Sequence, residues 1–266
     1  MSEIKLGFIG AGNMAAAIIK GAVEKNAVAP NHIIVYDIDT EKVKELQEGY
    51  GVHGVASIAE LCEKTDMLLA AVKPNILPDV LRSLCNIDLP LISIAAGWSA
   101  ERIKELYGDH KRVLRIMPNT PLMVGEGMSV FETPSSFNEH ELAFAKKLFG
   151  ALGHVSFAQT KQMDAVTAVS GSGPAYVYMF IEALADGGVL CGLPRAQALT
   201  LAAQTVIGAA KMVLDTGTHP GALKDAVCSP GGTTIEAVRS LENNGFRGAI
   251  IDAVEACAKK SAAMGK

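Results

Sequence analysis

Short apolar runs recur through the first half of the chain. IKLGFI (residues 4–9), HIIVYD (32–37), DMLLAAV (66–72), PLISIAAG (90–97) and KRVLRIMPNTP (111–121) are too apolar for strands with one wet face. Such runs suit parallel strands covered on both sides. Between some of them lie amphipathic stretches, DTEKVKELQEGYG and SAERIKELYG, with the spacing of surface helices. Strands alternating with helices predict a doubly wound α/β sheet. Pro74 and Pro118 are expected to end their strands, because proline has no N–H to give to a ladder.

After about residue 160 the pattern changes. SGSGPAYVYMFIEALADGGVLCG has Pro174 in the first turn of a predicted helix and glycines expected to close it. LPRAQALTLAAQTVIGAAKMVLDTG repeats the scheme, with Pro194 at the start and Gly217 past the end. That second helix would run about 30 Å. Leu199, Leu201, Ala202, Ala203, Val206, Ile207, Ala210, Val213 and Leu214 leave it only a narrow polar face. Such a helix must be covered on most sides, and a unit of about a hundred residues has little core to do it. The expectation is that helices of a second copy complete the core; the alternative is a helix sheathed within its own domain. The predicted plan is an α/β Rossmann-type sheet over residues 1–160, then an all-α dimerisation domain over 161–266.

Composition narrows the function classes. A net charge of −4 and a pI near 5.9 give no basic face for nucleic acid. Five scattered cysteines, Cys62, Cys85, Cys191, Cys228 and Cys257, without a CxxC pair, read as reduced thiols in a cytoplasmic protein. The six histidines have no ligand spacing, so no metal is expected. Glu3 and Lys5 fall where a signal sequence would be apolar, and no apolar run is expected to reach the roughly 18 residues of a membrane span.

Two glycine loops carry the chemistry. Gly10-Ala11-Gly12-Asn13-Met14-Ala15 is a G-x-G-x-x-A pattern between strand and helix. Gly10 would make the tight turn, Gly12 would let backbone approach a pyrophosphate, and Ala15 would hold the helix close to the sheet. Asp37, 27 positions after Gly10, ends the second strand. A carboxylate there can accept both ribose hydroxyls and repels a 2′-phosphate. The other strand ends are Ala71-Val72-Lys73-Pro74, Ile94-Ala95-Ala96-Gly97 and Met117-Pro118-Asn119-Thr120-Pro121. Small residues at two of them leave room for a flat ring. Lys73 reads equally as a ligand contact or a solvated lysine.

The second loop is SPGGTT, residues 229–234, before the helical IEAVRSLENNG. Thr233 and Glu236 have capping-box spacing, which predicts Thr233 as the helix N-cap and leaves the Thr234 hydroxyl spare. Ser229, Gly231, Gly232, Thr233 and Thr234 would offer backbone N–H groups and hydroxyls to an anion, here a small carboxylate. Two or three charge-assisted hydrogen bonds of about 1.5–3 kcal/mol each would hold it. A glycine turn joining two helices is the plainer alternative. If the first loop takes pyrophosphate and the second a carboxylate, the chain is a hydride-transfer enzyme.

GFIGAGNMA, AAVKP, IAAG, RIMPNTP, VSGSGPAY, EALADGG, GLPR and above all HPGALKDAVCSPGGTTIEAVRSLE make the chain resemble the pyrroline-5-carboxylate reductase family along nearly its whole length. The resemblance implies reduction of a cyclic imine carboxylate to L-proline with NADPH or NADH. It also implies a dimer, and in that family often a decamer. By matching position, residues 10–15, 71–74 and 94–96 would contact the dinucleotide. Gly231, Gly232 and Thr233 would hold the substrate carboxylate, and Thr234 would bond the ring nitrogen. No histidine or acid in the motifs is an evident proton donor, which leaves water, or Thr234 relaying from water. VYDIDT departs from the NADPH-using pattern: Asp37 and Asp39 predict that NADH is favoured or tolerated. A β-hydroxyacid dehydrogenase would instead rely on a lysine such as Lys211, which lacks its glycine-rich lead here. A nucleotide sensor without catalysis would not need residues 231–234.

Overall fold

The computed structural model describes residues 4–264; Glu3, invoked above, lies outside the described residues. The chain forms two compact units. One runs to Ser172 and takes in the chain again from Cys257; the other is Gly173–Ala256.

The first unit alternates β1 (Leu6–Ile9), α1 (Asn13–Glu24), β2 (Ile33–Tyr36), α2 (Thr40–Tyr50), β3 (His53–Gly54), α3 (Ile58–Lys64), β4 (Met67–Ala70), α4 (Leu77–Ser83), β5 (Leu91–Ser93), α5 (Ala100–Tyr107) and β6 (Val113–Met117). It continues with β7 (Gly127–Thr133), α6 (Glu139–Gly150), β8 (Gly153–Gln159) and α7 (Met163–Val166), then a π-helical turn at Thr167–Gly171. The sheet order is β3-β2-β1-β4-β5-β6-β7-β8. Leu6 stands opposite both Ile33 and Met67, so the order reverses on either side of β1. That reversal opens the crevice of a doubly wound fold at the carboxyl ends of the strands.

Successive residues of the buried strands feed opposite faces. Phe8 belongs to the core under α1 and α6, with Ile18, Ile19 and Phe149. Ile9, next in sequence, belongs to the other core, with Leu77, Leu81, Ile103 and Tyr107. Each such side chain, fully buried, stabilises the fold by about 1.5–3 kcal/mol.

Three strands escape the hydrophobic pattern. β3 is only two residues long. β7 runs antiparallel to β6 and carries Glu132 next to its last residue, where a charge argues against a buried strand. Glu132 is neutralised by Arg115 of β6 at 3.2 Å and accepts the Thr160 hydroxyl at 2.7 Å, with both charged side chains buried. β8 is the sheet edge, and its residues are half-buried or exposed. Pro118 follows the last residue of β6 as expected, whereas β4 stops at Ala70, four residues before Pro74.

The second unit holds α8 (Gly173–Leu190), α9 (Arg195–Thr216), α10 (Pro220–Val227), α11 (Thr233–Asn243) and the start of α12 (Phe246–Met264). Gly187 and Gly188 lie inside α8 rather than closing it; Gly192, at φ +97°, follows its end. Gly188 is where α9 comes close, since a Cβ there would stand 3.1 Å from that of Ala198. α8 and α9 pack through Ala185, Ala198 and Ala202. Beyond this seam α9 is open: Leu201 and Ile207 are about half exposed and Leu214 is 80% exposed.

One helix bears on the expected lack of a membrane span. α9 contains an 18-residue window with mean hydropathy 1.2, long and apolar enough to cross a membrane by length and composition. Its polar content is mainly hydroxyls and amides, and Thr200, Thr205 and Thr216 turn their hydroxyls back onto the carbonyls of Ala196, Leu201 and Met212.

Candidate active site

The first cluster of expected site residues gathers at the carboxyl ends of β1, β2, β4 and β5. Gly10 follows β1 at φ +107°, and its N–H donates to Tyr36 O at 2.8 Å. A Cβ on Gly10 would stand 2.8 Å from the Ala71 carbonyl oxygen, so only glycine suits this position. Gly12 is the N-cap of α1 with no side chain bonded to the first-turn amides. A Cβ on Gly12 would meet nothing within 4 Å. The N–H groups of Asn13, Met14 and Ala15 thus have no capping side chain at the positive end of a 12-residue helix. Asn13 is exposed, Met14 half-buried, and Ala15 fully buried against the sheet.

Asp37 turns its carboxylate onto this loop. Oδ2 accepts the Ala11 N–H at 2.6 Å and Oδ1 accepts the Asp39 N–H at 2.9 Å. Each oxygen keeps a lone pair for a further donor. Asp39 pairs with Lys42 at 3.0 Å. The Lys42 hydrogen bond holds the Asp39 carboxyl below its usual range and raises the lysine in return. Lys42, in the first turn of the helix after β2, is thus paired with a carboxylate.

Ala71, Val72, Lys73 and Pro74 form the loop after β4, and Ile94, Ala95 and Ala96 the loop after β5. Ala71 N–H donates to Ile9 O and Ile94 N–H to Ala70 O, which carries the ladder up to the crevice. Ala95 is buried, Ala71, Val72, Pro74, Ile94 and Ala96 are half-buried, and Lys73 is exposed.

The second cluster lies in the other unit, between α10 and α11. Gly231 adopts φ +66°. A Cβ on Gly232 would stand 2.4 Å from Ser229 Oγ. The N-cap of α11 is Gly232, not Thr233 as expected from the capping-box spacing. Glu236 is drawn instead to Arg239, accepting from it at 2.9 and 3.1 Å. Thr233 becomes the first helical residue and Thr234, half-buried, the second. No side chain caps the amides of Thr233, Thr234 and Ile235, so this turn is better suited to an external anion than the predicted box would be. Cys228 caps the end of α10 beside the loop.

Two polar residues of the first unit have partners that sequence reasoning did not foresee: Asn119, named only as part of a strand end, and Trp98, not named at all. Asn119, just beyond β6, accepts from Met128 N–H at 2.8 Å and donates to Ser170 O of the π-helical turn at 3.1 Å. Trp98, beyond β5, donates its indole N–H to Pro74 O at 3.1 Å. Its signal was its rarity, since the chain has one tryptophan.

The chain is 45% identical over 267 residues to the pyrroline-5-carboxylate reductase of Escherichia coli (strain K12), covering 99% of both chains. It is 48% identical to that of Synechocystis sp. over 266 residues, again 99% of each. The chain belongs to the pyrroline-5-carboxylate reductase family. Residues 160–264 match the family described as pyrroline-5-carboxylate reductase dimerisation, and residues 5–97 match that described as NADP oxidoreductase, coenzyme F420-dependent. Among solved structures, the Plasmodium falciparum pyrroline carboxylate reductase with NADP bound superposes with a TM-score of 0.90 at 35% identity, over the whole of both chains. A Rossmann-type unit and a helical unit that self-associates are the architecture of this reductase family. α9, with its exposed apolar length, lies within the residues that match the dimerisation description.

Proposed function

We propose that the chain reduces 1-pyrroline-5-carboxylate to L-proline, the last step of proline synthesis, with a reduced nicotinamide dinucleotide as donor. The observation that carries the reading is the Gly231–Thr234 turn. It opens a helix with unclaimed amides in the unit that matches the family's dimerisation description. A small carboxylate fits the charge and size of that turn.

The first loop fits a dinucleotide. The open space over Gly12 and the uncapped amides of α1 suit a pyrophosphate, and Asp37 retains lone pairs for ribose hydroxyls. Residues 10–15, 71–74 and 94–96 would hold it. Bound there, it supplies a hydride for the carbon of the C=N bond. The amides of Gly231 and Thr233 orient the substrate by its carboxylate, while the Gly232 N–H donates to Ser229 O at 3.0 Å and closes the turn. Ser229 shapes the turn from beneath Gly232. The Thr234 hydroxyl donates a proton to the ring nitrogen and recovers one from water, so hydride plus proton converts imine to amine.

Asp37 and Asp39, with Lys42 tied up, support a preference for NADH, although the P. falciparum relative was solved with NADP. The unpaired cysteines support a cytoplasmic location. Assembly past the dimer to a decamer rests on the family resemblance, and mass in solution reads it directly. The deciding experiment measures kcat/KM for the cyclic imine with NADH and with NADPH, and proline-dependent reduction of NAD⁺ at high pH. Turnover with NADH the better donor is expected. No turnover with either donor refutes the activity, and a strong NADPH preference refutes the role given to Asp37.

A further inference from the structure

The loops after β4 and β5 are the two neighbouring walls of the dinucleotide crevice. Up to Ile94 the sheet ladder holds them together. Beyond the strand ends the ladder stops. Among the described residues, the hydrogen bond that still joins 71–74 to 94–98 is the one from Trp98 Nε1 to Pro74 O, at 3.1 Å.

Three features make this bond rigid. Trp98 is 6% exposed and packs with Leu77, Leu81 and Ile103 of α4 and α5. The Arg102 guanidinium lies over its ring, 4.1 Å from the centroid, an attraction of the cation–π type. Arg102 is itself fixed in the first turn of α5, where its backbone N–H donates to Ser99 Oγ at 3.2 Å. Its Nη1 is buried with no hydrogen-bond partner, so the indole face is what that end of the guanidinium rests on. This arrangement does nothing for the sheet that the ladder does not already do. What it sets is the separation of two loops whose side chains, the exposed Lys73 apart, are small, half-buried or buried.

We infer that Trp98 is a positioning residue for the dinucleotide: its indole N–H holds the Pro74 carbonyl so that the two crevice walls stand at the separation the nicotinamide half requires. The inference rests on the dinucleotide reading of the crevice given above. It assigns Trp98 to binding rather than to chemistry, because it touches loops, not reacting atoms. It also makes the chain's single tryptophan a reporter of the crevice, since reduced nicotinamide absorbs where tryptophan emits.

The test uses the full chain and Trp98→Phe, which keeps an aromatic ring and removes the N–H. NADH and NADPH are titrated against both proteins by calorimetry, and KM and kcat are measured with the better donor. Circular dichroism checks the fold. The expected result is a dinucleotide Kd and KM raised about three- to tenfold in the variant, with kcat within about twofold. Wild-type tryptophan emission should fall on saturation. A folded Trp98→Phe with unchanged Kd overturns the inference while leaving the dinucleotide reading intact. So does a fall in kcat at unchanged KM. If the variant does not fold, wild-type emission that ignores a saturating dinucleotide overturns it. If neither dinucleotide binds the wild type, the crevice reading fails and this inference with it.

Discussion

Two alanine substitutions in one loop should separate binding from stability. Gly10 stands at φ +107°, where an L side chain costs about 1–2 kcal/mol. A Cβ would also come within 2.8 Å of a backbone oxygen, Ala71 O, which can yield only by moving the loop after β4. Gly10→Ala should therefore destabilise the first unit by about 2–4 kcal/mol. Gly12 differs in both respects. Its φ of −70° and ψ of 179° suit any residue, and a Cβ meets nothing within 4 Å. Losing a glycine N-cap costs a few tenths of a kcal/mol, and restricting the unfolded chain returns about as much, so Gly12→Ala should stay within about 0.5 kcal/mol of wild type. Yet that methyl group occupies the space assigned to the pyrophosphate, and KM for the dinucleotide should rise at least tenfold, about 1.4 kcal/mol. Thermal unfolding without dinucleotide, at one protein concentration because self-association shifts the midpoint, gives the first quantity. Initial rates give the second. Gly12→Ala with KM within twofold of wild type would refute the placement of the pyrophosphate; Gly10→Ala as stable as wild type would refute the steric argument.

Three further outcomes are expected. Thr234→Ala should lower kcat/KM at least tenfold while Thr234→Ser stays within about threefold, and an alanine variant inside threefold would remove Thr234 from proton relay. Ile207→Glu on the open face of α9 should reduce the mass measured by light scattering, with an unchanged assembly refuting that face as an interface. Tyr107 is buried and donates to Leu89 O at 2.6 Å, and burial pushes its hydroxyl up to about 12. Because the folded value lies above the unfolded one, its contribution is complete below pH 10 and is lost as pH rises toward 12. Denaturant titrations should show wild type losing its advantage over Tyr107→Phe across that window, and a constant difference would refute the assignment.

The legible parts of the fold were those where burial on both sheet faces left unbroken apolar runs: β1, β2, β4, β5 and β6. What stayed hidden had a physical cause in each case. Glu132 breaks the apolar run of β7, and only the fold reveals Arg115 beside it. β8 has one neighbour and alternates weakly. The glycine loop was readable because Gly10 meets a backbone constraint that other residues do not, and Gly12 follows it at the spacing of the dinucleotide pattern. The cap of α11 was misjudged because Glu236 has a second suitor, Arg239, three residues on. Trp98 was invisible because its partner is a carbonyl 24 residues away, a contact that no local spacing encodes.

The tail of α12 has a consequence for biogenesis. Ser261 donates to Asp164 at 2.7 Å and Cys257 approaches Ser172 at 3.3 Å, so the nucleotide-binding body is finished by segments translated after all of its other parts. A nascent chain leaving the ribosome would carry that body nearly whole but unlatched until its closing helix emerges. Completion of that body therefore waits until every residue of the second unit, Gly173–Ala256, has been made.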